Sequence, residues 1–163
     1  MSGRITITWA EVDRRLEQAH NYWICTASPL SGPHAMPVWG VWVDGRLWFS
    51  TGAGTVKARD LAADPRVAVH LESAAELVAL RGTASAVPDG ERPAAVDSAY
   101  AAKYVLPRSG GPGSIGMGGS PVYAVMPVTG HSWFEGAFPE TMTRWRFDGP
   151  GREPVPQEIS YQG

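Results

Sequence analysis

Two runs of large apolar residues, VWGVWV (38–43) and RLWFST (46–51), meet at Asp44-Gly45. Asp-Gly is a preferred two-residue hairpin link, because both positions tolerate the positive φ that a tight antiparallel reversal needs. Side chains alternate along a strand. Val38, Gly40 and Trp42 therefore fall on one side of the first arm, and Trp39, Val41 and Val43 on the other. Both sides are apolar, so both must be covered: one by the interior of a barrel, the other by a helix, a partner subunit or a ligand. A Gly/Thr loop, a short helix at 55–63 and a half-buried strand at Val67–Glu72 follow. The segment excludes an all-helical protein and points to a barrel.

The flanking sequence supplies the other parts. Thr8-Trp9-Ala10-Glu11 has the form of a capping box. Trp9, Val12, Leu16 and Ala19 then recur at helical spacing, which predicts a helix over 9–19. A strand is expected at 22–27, with the turn at 28–33. Residues 77–87 read as a strand whose Gly82 allows a bulge, 89–104 as a helix capped by Asp89, and 122–128 and 143–147 as late strands. Six or seven antiparallel strands with two or three flanking helices make a mostly β protein, a small barrel over residues 1–148. The stretch 108–120, with six glycines among thirteen residues, is expected to be mobile, and the Pro/Gly-rich tail 149–163 disordered.

Charge and composition narrow the function. A formal net charge of −2 without a basic stripe argues against nucleic-acid binding. The single cysteine, Cys25, rules out a disulfide within the chain and reads as a buried, inert thiol. No apolar run is long enough to span a bilayer, and the first residues lack a signal-peptide pattern, so the expected location is the cytoplasm, with no membrane partner. The four histidines show no ligand spacing, so no metal site is expected. Neither a G-x-S-x-G elbow nor a Walker motif is present, so any redox or transfer chemistry is expected to reside in a cofactor. The G-x-G-x-x-G match at 111–116 has no strand before it and no helix after it, and reads as a loop.

The strongest site lies at the mouth of the 55–63 helix. The loop Ser50-Thr51-Gly52-Ala53-Gly54-Thr55 brings hydroxyls and a closely approachable backbone to a helix start, where free amides and the helix dipole favour an anion. Lys57 supplies a point charge and Arg59 a planar fork. Residues two apart do not share a helix face, so the pair converges only on a group near the helix axis, such as a phosphate. The competing reading is a solvated Lys/Arg pair with Asp60 and Asp64 as salt partners. Trp39, Trp42, Trp48, Trp133 and Trp145 exceed what a small barrel core needs, so some are expected at a ring-binding cleft or a subunit interface.

In order along the chain, YWICTA, GPHAMPVW, the Asp-Gly hairpin, LWFSTG, the K-x-R helix start, DLAADPRVAV and TRWRF at 143–147 resemble the pyridoxamine 5′-phosphate oxidase-like superfamily of flavin-binding split β-barrels. Within it the chain is similar to the branch of deazaflavin-dependent oxidoreductases that use coenzyme F420. The resemblance implies a split barrel, a homodimer, and a cofactor in a groove between subunits. By position, Lys57 and Arg59 would hold the cofactor phosphate with Ser50, Thr51 and Val56, while Pro37, Val38 and Trp39 would run beneath or beside the ring system. Asp60 departs from the Asn expected before Leu61.

The expected function is therefore a cofactor-dependent oxidoreductase that passes a hydride to a small organic substrate, with Tyr104 and His34 as candidate proton donors. FMN on the same fold, and a non-catalytic flavin or deazaflavin carrier, are the alternatives. A long polyanionic deazaflavin tail would be favoured by basic residues such as Arg46, Arg66 or Arg108.

Overall fold

A computed structural model describes residues 7–157 and 159 of the chain. The element order is α1 (Trp9–Gln18), β1 (Tyr22–Ser28), β2 (Gly32–Val38), β3 (Gly40–Val43), β4 (Arg46–Ser50), α2 (Val56–Ala63), β5 (Arg66–His70), β6 (Glu76–Val87), α3 (Ala94–Lys103), β7 (Val122–Phe134), β8 (Thr143–Arg146) and β9 (Val155–Gln157). The pairing is antiparallel throughout, and the sheet runs β2-β1-β5-β6-β7-β4-β3, with β8 on β7 and β9 on β8. The two ends of this path, β2 and β3, are consecutive in the chain with only Trp39 between them. Neighbouring Cα atoms are about 3.8 Å apart, so the sheet must curl until its ends nearly meet. The result is the split-barrel architecture.

The Asp44-Gly45 turn forms as expected, with φ of 53° and 69°, and sets the β3–β4 register from Val43 opposite Arg46 to Gly40 opposite Phe49. The two apolar sides of β3 are covered differently. Trp42 joins the barrel interior with Ile24, Leu47, Phe49, Val69, Leu80 and Val125. Val41 faces a second cluster with Trp48, Val96, Tyr100 and Tyr104, in which α3 supplies the cover. The capping box of α1 is complete: Thr8 N–H donates to Glu11 Oε2 at 2.8 Å, and Glu11 N–H to Thr8 Oγ1 at 3.3 Å.

Three elements differ from expectation. β2 overlaps the expected turn at 28–33 and covers 34–37, to which no element was assigned, because Pro33 and Pro37 obscure the strand pattern; at the end of the sheet their missing N–H groups cost no ladder bond. α3 begins at Ala94 rather than Asp89: Pro93 occupies the N-cap, and a proline disfavours helical backbone at the residue before it. Within the tail expected to be disordered, Val155–Gln157 pairs with β8 as β9; residues 158 and 160–163 lie outside the described set. The glycine-rich stretch is anchored rather than free, since Ile115 is buried in the second cluster and Gly113 N–H donates to Tyr104 O at 2.7 Å. Among the described residues no helix is long and apolar enough to cross a membrane.

The expected bulge is present. Arg81 pairs with Thr129 but Gly82 with Pro127, leaving Val128 as the extra residue of β7. It falls where β7 exchanges one neighbour for another, pairing with β4 through Val122–Val125 and with β8 through Thr129–Ser132. It also accommodates Pro127, which has no N–H for a central ladder. At this point the strands approach so closely that a Cβ on Gly82 would lie 2.0 Å from Met126 O. Gly82→Ala is expected to destabilise the fold by about 3 kcal/mol or more through backbone displacement. Gly136→Ala, with nothing within 4 Å, is expected to stay near wild type. Urea unfolding of the two variants checks the contrast.

Candidate functional site

β4 ends at Ser50, and the chain turns into α2 through a loop tied to the start of β7 by Thr51 N–H donating to Pro121 O at 3.3 Å. Thr55 is the N-cap of α2: its hydroxyl accepts from Ala58 N–H at 3.3 Å and lies 2.8 Å from Gly52 O, to which it donates. That uses its single proton, so Thr51 is the donor in the 3.0 Å contact between the two hydroxyls. Thr51 and Thr55 thus brace the loop. Ser50 makes no side-chain hydrogen bond among the described residues and keeps its donor. The amides of Val56 and Lys57, first in the helix, have no intrahelical acceptor.

Lys57 is the unusual member. It is 9% exposed, yet no hydrogen bond or ion pair joins its ammonium to any other described residue, and burial lowers its pKa from the ordinary lysine value. Arg59 is exposed and folds back toward the helix start, its Nη1 donating to Gly54 O at 2.7 Å. Arg59 therefore covers the loop from the solvent side.

The competing reading required Asp60 and Asp64 to pair with these cations, and they do not. Asp60, 1% exposed, accepts from Thr26 Oγ1 at 2.7 Å and from the Ser31 hydroxyl, fastening α2 to the β1–β2 hairpin. The Ser31 and Thr26 bonds hold its carboxyl below the usual range, with a smaller contribution from His34. Asp64 is bound by the Arg66 guanidinium, with contacts of 2.6 to 3.0 Å, which pulls its pKa to about 2. Arg66 is thereby occupied and not free for a polyanionic tail. Thr26 and Ser31 were missed in the sequence because each becomes meaningful only when β1, β2 and α2 meet.

Pro37 and Val38 close β2, and Trp39 follows. Trp39 lies nearly flat on Tyr104, with ring centroids 4.6 Å apart and planes at 8°, so one of its faces is already taken. Tyr104 is 1% exposed; its hydroxyl accepts from Gly40 N–H at 2.9 Å and lies 2.7 Å from His20 O and 2.8 Å from Gly40 O. Burial pushes its pKa to about 12, so it is a pin and not an acid. Lys103 Nζ donates to Tyr22 Oη at 2.9 Å and Gly40 O at 3.0 Å, with burial lowering its pKa to about 8. His34 Nδ1 is buried with no partner among the described residues. Of the tryptophans, Trp42, Trp48 and Trp145 are core, whereas Trp133 is only half-buried on the sheet's outward face.

A concave surface of about 720 Å³ lies elsewhere, along the outward face of β1, β5, β6, β7 and β8. Neither Lys57 nor Arg59 lines it. Cys25 does, so this thiol is half-buried on the outward side of β1 rather than in the core; burial raises its pKa and keeps it protonated. Arg81 and Arg144 also line the groove. Strand alternation places each outward, but their meeting at one groove is a product of the β6-β7-β8 order.

The model of the pyridoxamine 5′-phosphate oxidase family matches residues 8–134. The fold is shared with a heme-binding protein from Mycobacterium smegmatis at 20% identity, TM-score 0.67, covering 86% of this chain and 58% of that one. It is also shared with an F420 reductase at 21% identity, TM-score 0.56, covering 72% and 94%. An FMN-binding, pyridoxamine 5′-phosphate oxidase-related protein from Nostoc punctiforme PCC 73102 has 15% identity, TM-score 0.59, covering 94% and 93%. At these identities the likeness is one of fold. No curated protein matches the sequence. With the match spanning the capping box, the β1–β2 and β3–β4 hairpins, the loop–helix cradle and all of β7, the chain belongs to the pyridoxamine 5′-phosphate oxidase family.

Proposed function

We propose that the protein is an oxidoreductase that holds a phosphate-bearing flavin-type cofactor, with coenzyme F420 the first candidate and FMN the second, and reduces a small organic substrate. The observation that carries this reading is Lys57: a residue only 9% exposed whose ammonium has no protein partner among the described residues, at the start of a helix with free amides. A partly desolvated charge without a partner is costly, and a bound phosphate would offset it. The names of two fold neighbours, an F420 reductase and an FMN-binding protein, support the same cofactor class.

In this reading Lys57, the Val56 and Lys57 amides and the Ser50 hydroxyl hold the phosphate. Arg59 closes the solvent side, and Thr51 keeps the loop in shape. Pro37 and Val38 run beside the ring, and Trp39, held rigid by Tyr104, backs that wall. When bound, a deazaflavin or flavin supplies hydride transfer. His34, on the same side of β2 as Val38 by alternation, is the residue to hold a proton there. The assembly is a homodimer across the outward sheet face. That face carries Trp23 stacked on His70 at 5.9 Å and Leu77 opposite Trp133, all half-buried rather than fully solvated.

Titration with FMN and with F420, followed by absorbance and fluorescence, is expected to show binding of at least one. Lys57→Ala is expected to weaken that binding about 10- to 100-fold with an unchanged circular dichroism spectrum; unchanged affinity would sink the site. Turnover of reduced cofactor against enones and quinones supports the enzyme, and binding without turnover indicates a carrier. Sedimentation as a monomer would overturn the subunit seam.

Lys57 also makes a prediction without any cofactor. Its folded pKa lies below the ordinary 10.5, so in that window the unfolded chain binds more protons and stability rises with pH. Lys57→Met is expected to raise the urea midpoint of the cofactor-free protein at neutral pH. The gain should shrink as pH climbs toward the lysine range, and a gain independent of pH would argue against a desolvated ammonium.

A further inference from the structure

The glycine-rich stretch before β7 has a fixed root and an exposed tip. Ile115 is 2% exposed, in the cluster that holds Tyr104 and Val122 and against which Trp39 packs. Gly113 N–H donates to Tyr104 O, and a Cβ on Gly116 would lie 2.9 Å from Val122 Cγ2, so the chain is pressed onto the sheet at both points. It is fastened again at Pro121, whose carbonyl accepts from Thr51 N–H. Between these anchors Met117, Gly118 and Gly119 stand exposed. Their turn is closed by its own bonds, Met117 N–H to Ser114 O at 3.2 Å and Gly119 N–H to Gly116 O at 3.1 Å. Gly118 and Gly119 have φ of 70° and 75°, with nothing within 4 Å of a Cβ at either. Glycine adopts that backbone at no steric cost, and the empty space leaves the tip room to move.

The anchors belong to the two halves of the candidate site. Tyr104 backs Trp39, and Thr51 lies in the loop that opens into α2. Strand pairing sets Ser50 opposite Val122. Continuing the β3–β4 register one step beyond Gly40 and Phe49 brings Trp39 alongside Ser50. Trp39, Ser50 and Val122 therefore occupy neighbouring chain segments at one end of the barrel, and the exposed turn stands at their rim. Met117 is the one large side chain of this turn and is 52% exposed. A methionine is unbranched and polarisable, so it can fit an apolar surface of irregular shape. The turn does not line the outward groove.

We propose, on the cofactor reading of the Lys57 cradle, that Gly116–Ser120 is a flap that closes over the ligand held there, with Met117 laid on its apolar ring. Closure of this kind excludes water from a hydride transfer and slows release of the bound group. The fixed root keeps the flap in register with Trp39 and the cradle loop, while the two free glycines supply the backbone change.

The test uses the full chain, with FMN and F420 as the probes. Hydrogen–deuterium exchange of the peptide covering 113–122 is measured free and at saturating cofactor, and cofactor release is timed by stopped flow. Exchange at 116–120 is expected to slow about tenfold on binding. Met117→Ala is expected to release the cofactor about tenfold faster. Its urea midpoint without cofactor should match wild type, because an exposed side chain adds little to the free fold. Lys57→Ala, at the same cofactor concentration, should show no protection of the turn. If wild type binds but exchange at 116–120 is unchanged, or Met117→Ala releases at the wild-type rate, the flap is overturned and the cradle stands. If neither cofactor binds to wild type, the cradle reading falls and the flap with it.

Discussion

The architecture depends on the junction at Trp39, where the chain passes from one end of the sheet path to the other in a single residue. Gly40 N–H donates to the Tyr104 hydroxyl, Lys103 donates to Gly40 O, and Trp39 stacks on Tyr104. Two residues at the end of α3 thereby hold the seam of the barrel. The same junction explains the two-sided apolar pattern of β3. Beyond it, Trp42 belongs to the barrel interior and Val41 to the layer under α3. Burying Tyr104 and Lys103 is tolerable because their polar atoms are satisfied by backbone groups that the junction itself exposes.

A second fastening, of opposite character, positions the candidate site. Asp60 draws its hydrogen bonds from Thr26 and Ser31 and so turns α2 against the β1–β2 hairpin. Its carboxylate is spent on structure. Lys57, three residues earlier, remains without a partner among the described residues. The proposed anion cradle rests on this contrast between a helix acid satisfied internally and a largely covered base left unmatched. The outward groove repeats this imbalance at the surface, where Arg66 is neutralised by Asp64 and Arg81 and Arg144 are not.

Much of this was legible in the residues. The capping box, the Asp-Gly turn, the bulge at Gly82, the two-sided burial of β3 and the strand–loop–helix cradle all rest on rules with a range of a few residues. What escaped was nonlocal. β2 was hidden by prolines that only an edge position makes harmless, and the start of α3 was moved by Pro93. Ile115 anchors a stretch that composition marks as loose. Cys25 reads as core in YWICTA, yet alternation with buried Tyr22, Ile24 and Thr26 turns it outward. Tyr104, a plausible acid by residue type, is a buried pin.

The amino-acid sequence by itself determined the elements, their turns and the chemistry of the cradle, because propensity, capping and alternation act between near neighbours. Tertiary structure alone decided which charges are matched. Asp60 and Lys57 lie in one helix and Arg81 and Arg144 in distant strands, and whether each meets a partner depends on the sheet order that brings β1, β2 and α2, or β6, β7 and β8, together. Charge compensation is a property of distance in space, and that distance is set by the curl of the sheet.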